Sequence, residues 1–258
     1  MNLLLQAKSL TVSIAGKAIC NDLNVQMHRG ECWAILGGNG AGKTTLLHTF
    51  AGLRSADKGQ IDFSDKLLEH WPRKLLSQKL GLLLQDNNDI FPSTVLETVM
   101  IGRHPHLKFW EMESQSDFDI ARQALISVSL EDVQDRQVNT LSGGERRRLA
   151  IATLLVQNPE LFLLDEPTNH LDMRYQITLL EMLIRTANAQ DGCLCMVLHD
   201  ANLARRYCTH IMLMISPGDI VTGKVEAVLT EENLGRLYQF PIKSVETESG
   251  RVFLPGTL

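Results

Sequence analysis

The run Cys32-Trp33-Ala34-Ile35-Leu36 passes directly into Gly37-Gly38-Asn39-Gly40-Ala41-Gly42-Lys43-Thr44-Thr45, and this junction decides the fold. A short continuous apolar run ending in glycines fits a strand buried on both faces. The residues behind it match G-x-x-x-x-G-K-[ST] and open a helix expected to run to about Ala51 and stop at Gly52. Glycines let the backbone wrap an anion, so that successive N–H groups point inward at phosphate oxygens. The start of the helix adds partial positive charge. Lys43 supplies a full charge to β- and γ-phosphates, and the Thr44 hydroxyl suits Mg²⁺. An ordinary glycine-rich turn needs neither the strand before it nor the Lys and Thr after it.

Three other apolar runs end in polar residues of chemical use. Residues 80–84 end at Gln85, residues 161–164 at Asp165-Glu166, and residues 193–198 at His199-Asp200. In parallel sheets, ligands bind outside the carboxyl ends of the strands, so all four endings are expected to face one ligand. Asp165 closes a buried strand, where a carboxylate is costly unless it meets a cation, here Mg²⁺. Glu166 can polarise a water for in-line attack on the γ-phosphate. Away from the phosphate loop, such an Asp-Glu pair would only cap a turn, and a lone His199 would read as a core histidine.

The flanking segments have different textures. Leu10, Val12 and Ile14, then Leu23, Val25 and Met27, alternate with polar residues as half-buried strands do, with a turn near Ala15-Gly16-Lys17. Between Gln85 and Pro159 the chain becomes polar and helical. Residues 211–222 read as a hairpin turning at Ser216-Pro217-Gly218-Asp219, and Thr230 caps a helix whose first turn holds Glu231 and Glu232.

Composition narrows the classes. With 30 acidic against 25 basic residues in 258, the chain carries no nucleic-acid footprint, and the run Arg146-Arg147-Arg148 reads as a solvated helix face. Five cysteines without C-x-x-C spacing argue against a zinc site or disulfide framework; Cys193 and Cys195, two apart in an apolar run, read as small core residues on one strand face. No apolar stretch approaches the roughly 18–20 residues of a membrane-spanning helix, and Leu3-Leu4-Leu5 is cut short by Gln6 and Lys8. A reducing cytoplasm is the simplest compartment.

Leu141-Ser142-Gly143-Gly144-Glu145 precedes an amphipathic run to Val156. Ser142 and Glu145 have capping-box spacing, and the two glycines leave N–H groups able to approach an anion. At this point the chain resembles the ABC ATPase superfamily over nearly its whole length. GGNGAGKTT is similar to the family's Walker A, LFLLDE to its Walker B and LSGGE to its signature. Gln85 matches the Q-loop, Asn169-His170-Leu171-Asp172 the D-loop, and His199 the switch histidine.

The resemblance implies an α/β fold: a P-loop NTPase (RecA-like) core with an N-terminal antiparallel β subdomain and an inserted α-helical subdomain. Residues 1–258 would form one ABC ATPase domain, with 1–85 and 151–230 as the nucleotide-binding core and β subdomain. Residues 86–150 would be the helical subdomain carrying the signature, and 231–258 a C-terminal extension. It also implies ATP with Mg²⁺, bound between two copies of the chain in a head-to-tail dimer that sandwiches two ATP molecules. Gly37, Gly38, Asn39, Gly40, Ala41, Gly42, Lys43, Thr44 and Thr45 would grip one side of each ATP. Ser142, Gly143, Gly144 and Glu145 of the other copy would close the second side, and Asp172 would link the two sites. Glu166 would be the general base, His199 would contact the γ-phosphate, Gln85 would reach Mg²⁺ or the attacking water, and Thr44 and Asp165 would serve the metal. Two positions depart from the pattern: Ile14 stands where an aromatic often stacks on adenine, and Arg147 where glutamine is usual, with a minor effect expected.

Lacking membrane spans, such a chain would sit peripherally at the cytoplasmic face of the inner membrane, on permease subunits fed by a substrate-binding protein. Phe91-Pro92-Ser93-Thr94-Val95-Leu96-Glu97 and Gly102-Arg103-His104-Pro105-His106-Leu107 resemble the importers of iron–siderophore, haem and cobalamin. His104 and His106 read as a polar loop pair rather than metal ligands. The rival readings are a transporter ATPase for another substrate, including an exporter, a soluble ABC protein of iron–sulfur assembly, and a P-loop kinase. The kinase gives no reason for LSGGE.

Overall fold

The computed structural model describes residues 2–85, 92–108, 110–169, 171–248 and 250–257. The N-terminal alternation becomes β1 (Leu3–Ile14) and β2 (Lys17–His28), an antiparallel pair turning through Ala15 and Gly16. A phosphate-loop strand, β3 (Cys32–Gly37), and helix α1 (Lys43–Phe50) follow. The strands β4 (Lys58–Phe63) and β5 (Lys66–Leu67) then return to the first sheet, giving the order β2-β1-β4-β5.

The second sheet receives the continuous apolar runs. Helix α2 (Arg73–Lys79) leads into β6 (Leu80–Leu83), and later come β7 (Leu161–Leu164), β8 (Cys193–Val197), β9 (His210–Ser216) and β10 (Asp219–Lys224). Their order is β10-β9-β3-β8-β7-β6, parallel except for the hairpin partner β10. Register aligns Leu83 with Leu164, Leu164 with Met196, and Ile35 with Val197. The polar residues that follow β3, β6, β7 and β8 therefore emerge along one edge.

Period-two alternation splits those strands between two cores. Trp33, Ile35, Leu161, Leu163, Cys193 and Cys195 pack towards α1 and the antiparallel sheet. Ala34, Leu36, Phe162, Leu164, Leu194 and Met196 pack towards the helical side. Both faces are thus covered, which is why the strands read as unbroken apolar runs. Truncating one such buried leucine to alanine costs about 2–5 kcal/mol.

The segment after β6 contains α3 (Val95–Met100), α4 (Gln115–Ser127) and α5 (Gly143–Gln157). Helix α5 crosses the expected boundary at residue 150 and runs seven residues further, so lobe and core share one helix. The Gly102–Leu107 segment is pinned to it. A Cβ on Gly102 would lie 2.3 Å from the Thr153 carbonyl oxygen, so only glycine permits this approach. Arg103 pairs with the buried Asp117 at 2.7 Å, and His106 Nε2 bonds the Gln157 carbonyl at 2.8 Å. Phe91 of the sequence reading lies outside the described residues.

Helix α6 (Met173–Ala189) joins β7 to β8, and α7 (Ala201–Tyr207) joins β8 to β9. After α8 (Val225–Val228), Thr230 accepts a bond from the Asn233 N–H and caps α9 (Glu231–Tyr238). The tail then forms a hairpin the sequence reading did not resolve, β11 (Ile242–Thr247) and β12 (Gly250–Pro255). Asn202 bonds both the N–H and the carbonyl of Phe253, whose side chain enters the core.

Candidate functional site

The four strand ends meet in a cleft of about 740 Å³. Its floor is the loop from Asn39 to Thr45, and its wall carries Gln85, Glu166, Asn169 and His199. That volume lies within the roughly 300–1,000 Å³ of small-molecule sites.

Gly42 shapes the floor. Its φ is +95°, and a Cβ would come within 2.3 Å of the Ile19 side chain, so both conformation and space demand glycine here. Helix α1 begins at the next residue with no side-chain cap, leaving its first amides to a ligand. The buried Lys43 ammonium folds back and donates to the Gly37 and Gly38 carbonyls, at 3.0 Å each. Burial pulls its pKa down, against the opposing pull of Glu166 and Asp165.

Two carboxylates close the wall and differ in their satisfaction. Asp165 is 0 % exposed, and neither carboxylate oxygen has a hydrogen-bond partner. Burial raises its pKa; the Thr44 hydroxyl, facing it without completing a hydrogen bond, and the charges of His48 and Arg147 offset this only in part. A buried carboxylate with orphan oxygens beside a threonine hydroxyl is the donor set a hard divalent cation requires, so these residues fit Mg²⁺.

Glu166, by contrast, is crowded with donors. His199 Nε2 lies 2.7 Å from Oε1, Gln85 Nε2 donates to Oε2 at 3.0 Å, and Asn169 Nδ2 also donates to Oε2. Its backbone sits at φ +50°, a conformation that costs a non-glycine residue on the order of 1 kcal/mol and concentrates at functional sites.

The expected residues thus divide into two groups. Lys43, Thr44, Thr45, Gln85, Glu166 and His199 line one cleft, with Asp165 buried against Thr44 and Glu166. The cleft lining contains none of Ser142, Gly143, Gly144, Glu145 or Asp172. Ser142 is the N-cap of α5: its hydroxyl accepts from Glu145 N–H at 3.2 Å, while Ser142 N–H donates to Glu145 Oε2 at 2.7 Å. Asp172 caps α6 through the Tyr175 N–H, and His170 lies outside the described residues.

Sequence reasoning placed Asn169 only in the D-loop match and Lys17 only in a turn, and passed over Ile19; all three line the cleft. Lys17 pairs across the β1–β2 turn with Ile14, so the hairpin tip presents an aliphatic side chain and a cation to the same space. The turn at Ala15-Gly16 was the available signal. The arginine run needs correcting: Arg147 is only 7 % exposed, with its guanidinium against backbone carbonyls, and is no solvated face.

Comparison with known proteins agrees with this geometry. A family model described as ABC transporter matches residues 20–169. The ferric enterobactin transport ATP-binding protein FepC of Escherichia coli (strain K12) is 33 % identical over 234 residues, covering 91 % of this chain and 86 % of that protein. Among solved structures, a chain of an ABC transporter assigned to the metal-chelate type, in an inward-facing conformation, superposes with a TM-score of 0.85. It is 27 % identical, over 99 % of this chain and 98 % of that one. The ATP-binding cassette MJ0796, solved as a post-hydrolysis dimer with ADP and Pi, gives 0.75 at 25 % identity, over 86 % and 99 %. With its phosphate loop, strand-end carboxylates and capped LSGGE helix in one fold, this chain belongs to the ABC transporter family and is one of its ATP-hydrolysing, ATP-binding proteins.

Proposed function

We propose that the chain is the ATPase subunit of a multi-subunit importer of metal chelates, of the iron–siderophore, haem or cobalamin type, peripheral at the cytoplasmic face of the inner membrane. The carrying observation is the division of the site: one wall of a nucleotide cleft is complete, while Ser142-Gly143-Gly144 lies outside that cleft on the capped start of α5. A second copy placed head-to-tail brings its Ser142 and Gly144 to this wall, and two ATP molecules are enclosed.

The residues then act in order. Lys43, Thr45 and the uncapped amides of α1 hold the phosphates. Thr44, Gln85 and Asp165 would hold Mg²⁺, which when bound neutralises phosphate charge. Glu166 begins with both carboxylate oxygens engaged: Gln85 and Asn169 donate to Oε2, and His199 Nε2 lies 2.7 Å from Oε1. A γ-phosphate offers His199 and Gln85 a stronger acceptor, so ATP arrival frees the carboxylate to take a proton from the attacking water. Asp172, at the start of α6, joins one site to the other across the dimer.

Import of metal chelates is supported by the likeness to a ferric enterobactin transport protein and to a metal-chelate type transporter. Among the described residues no helix is long and apolar enough to cross a membrane, so permease subunits supply the path. Trp110 and Met112, 86 % and 84 % exposed on the segment between α3 and α4, suit docking to such subunits.

The test is to tag the chain, solubilise native membranes gently, and identify what copurifies. A many-spanning permease with a substrate-binding protein supports the proposal, and that protein's ligand names the chelate. A permease with no binding protein replaces import by another transport, and soluble partners alone remove the transporter.

A further inference from the structure

Three consecutive arginines follow Glu145, and their fates differ. Arg146 donates to the Asn139 carbonyl at 2.9 Å, and the Arg148 guanidinium lies 4.9 Å from the centre of the Tyr175 ring. Both are partly exposed. Arg147, between them, turns inward and is the buried residue of α5 nearest to Ser142.

Its guanidinium spans two strand ends. Nη1 donates to the Leu84 carbonyl and, at 3.4 Å, to that of Gln85, immediately beyond β6. Nη2 donates to the Asp165 carbonyl, and Nε to that of Pro167 at 3.5 Å, immediately beyond β7. One side chain on the LSGGE helix therefore grips the backbone on both sides of the catalytic wall. Only a planar fork of donors can serve both ends together; a glutamine carries one amide NH₂, and a lysine is a point charge.

The capping box of Ser142 and Glu145 is local to α5, and fixes the turn's shape but not its place relative to the cleft. Apolar anchors flank the turn, Leu141 just before the cap and Leu149 further along α5, and both are buried in the same core. Arg147 lies between them and is the buried side chain of this stretch that bonds the strand ends of the catalytic wall.

We propose that Arg147 is a positioning residue: its fork fixes where the Ser142–Gly144 turn stands relative to Gln85 and Glu166 of the same chain. The turn that closes another copy's nucleotide and the carboxylate that attacks this copy's nucleotide are thereby held as one rigid unit. This rests on the head-to-tail dimer proposed above.

The test uses Glu166→Gln, in which ATP is expected to stay bound and the closed dimer to accumulate. In that background Arg147→Gln is expected to raise the MgATP concentration for half-maximal dimerisation about tenfold, by light scattering. That is the scale of one charged hydrogen bond. ATP affinity of the dilute single chain should change less than twofold, and Arg147→Lys should fall between parent and Arg147→Gln. Dimerisation unchanged in Arg147→Gln overturns the inference. Loss of single-chain ATP binding in both the Gln and Lys variants also overturns it, by making Arg147 a folding residue. If Glu166→Gln alone stays monomeric at saturating MgATP, the dimer reading fails and takes the inference with it.

Discussion

Two helices of this molecule start at glycine-rich turns, and they are built in opposite ways. Helix α1 opens from Gly42 with no side-chain cap, against a buried lysine, inside the cleft. Helix α5 opens from Ser142 with a complete capping box, outside the cleft lining. An uncapped start has unsatisfied amides and stored affinity for phosphate. A capped start is satisfied without a ligand: the Ser142 hydroxyl accepts from the Glu145 N–H and leans its proton on the Glu145 carboxylate, from which a rotating hydroxyl can turn to a more highly charged acceptor. The Gly143 and Gly144 amides take no part in the box. The difference teaches that α1 should bind nucleotide in the isolated chain, whereas α5 should matter only where copies meet.

The largest effect expected lies on the wall between them. Glu166→Gln should lower ATP hydrolysis by about 10²–10⁴, the range of a general base, while ATP binding persists. Phosphate release measured beside nucleotide binding checks this, and unaltered release would remove Glu166 from the base role. Lys43→Ala comes next. Losing a buried cation should weaken single-chain ATP affinity by about 100-fold, equivalent to roughly 2.7 kcal/mol. Ser142→Ala should do the reverse: single-chain affinity unchanged, hydrolysis at micromolar protein down by about tenfold, on the scale of one charge-assisted hydrogen bond. Equal loss of single-chain affinity in both variants would erase the distinction between the two helix starts.

The sequence made the α1 side legible because its chemistry is local. Strand, glycines, Lys43 and Thr44 are contiguous, and four apolar runs with polar endings imply a shared ligand edge before any pairing is known. Sheet order was not legible, because β6 and β7 meet across the whole helical segment. Nor was the β11–β12 hairpin, whose hold on the core is a pair of bonds to Asn202 far away in sequence. Arg147 is the sharpest miss. A basic run on a helix has the same sequence pattern whether it meets water or carbonyl oxygens, and only the strand ends beneath Arg147 decide which. Asn169 was hidden for a related reason: its donation to Glu166 depends on a backbone turn at positive φ that no residue type announces.

The smallest effect probes the cap itself. Glu145 is held below the usual carboxylate range by the Ser142 backbone N–H, then by the Ser142 hydroxyl, with Arg136 and Arg148 adding to both. A carboxylate depressed in the folded state contributes stability that is present above its ordinary value of 4.5 and is lost as pH falls through the lower folded value. Glu145→Gln keeps an acceptor for Ser142 N–H and removes the titration. ATP hydrolysis at pH 7 should then stay within about twofold of the parent, since the cap survives in neutral form. Melting temperatures should show the parent more stable at pH 7 and the gap closing as pH falls below 4.5. A gap constant over that range would mean that the charge of Glu145 contributes nothing to the cap. Any shift of single-chain ATP affinity in this variant would mean that the α5 start reaches the cleft of its own chain, and the two helix starts would no longer be separate devices.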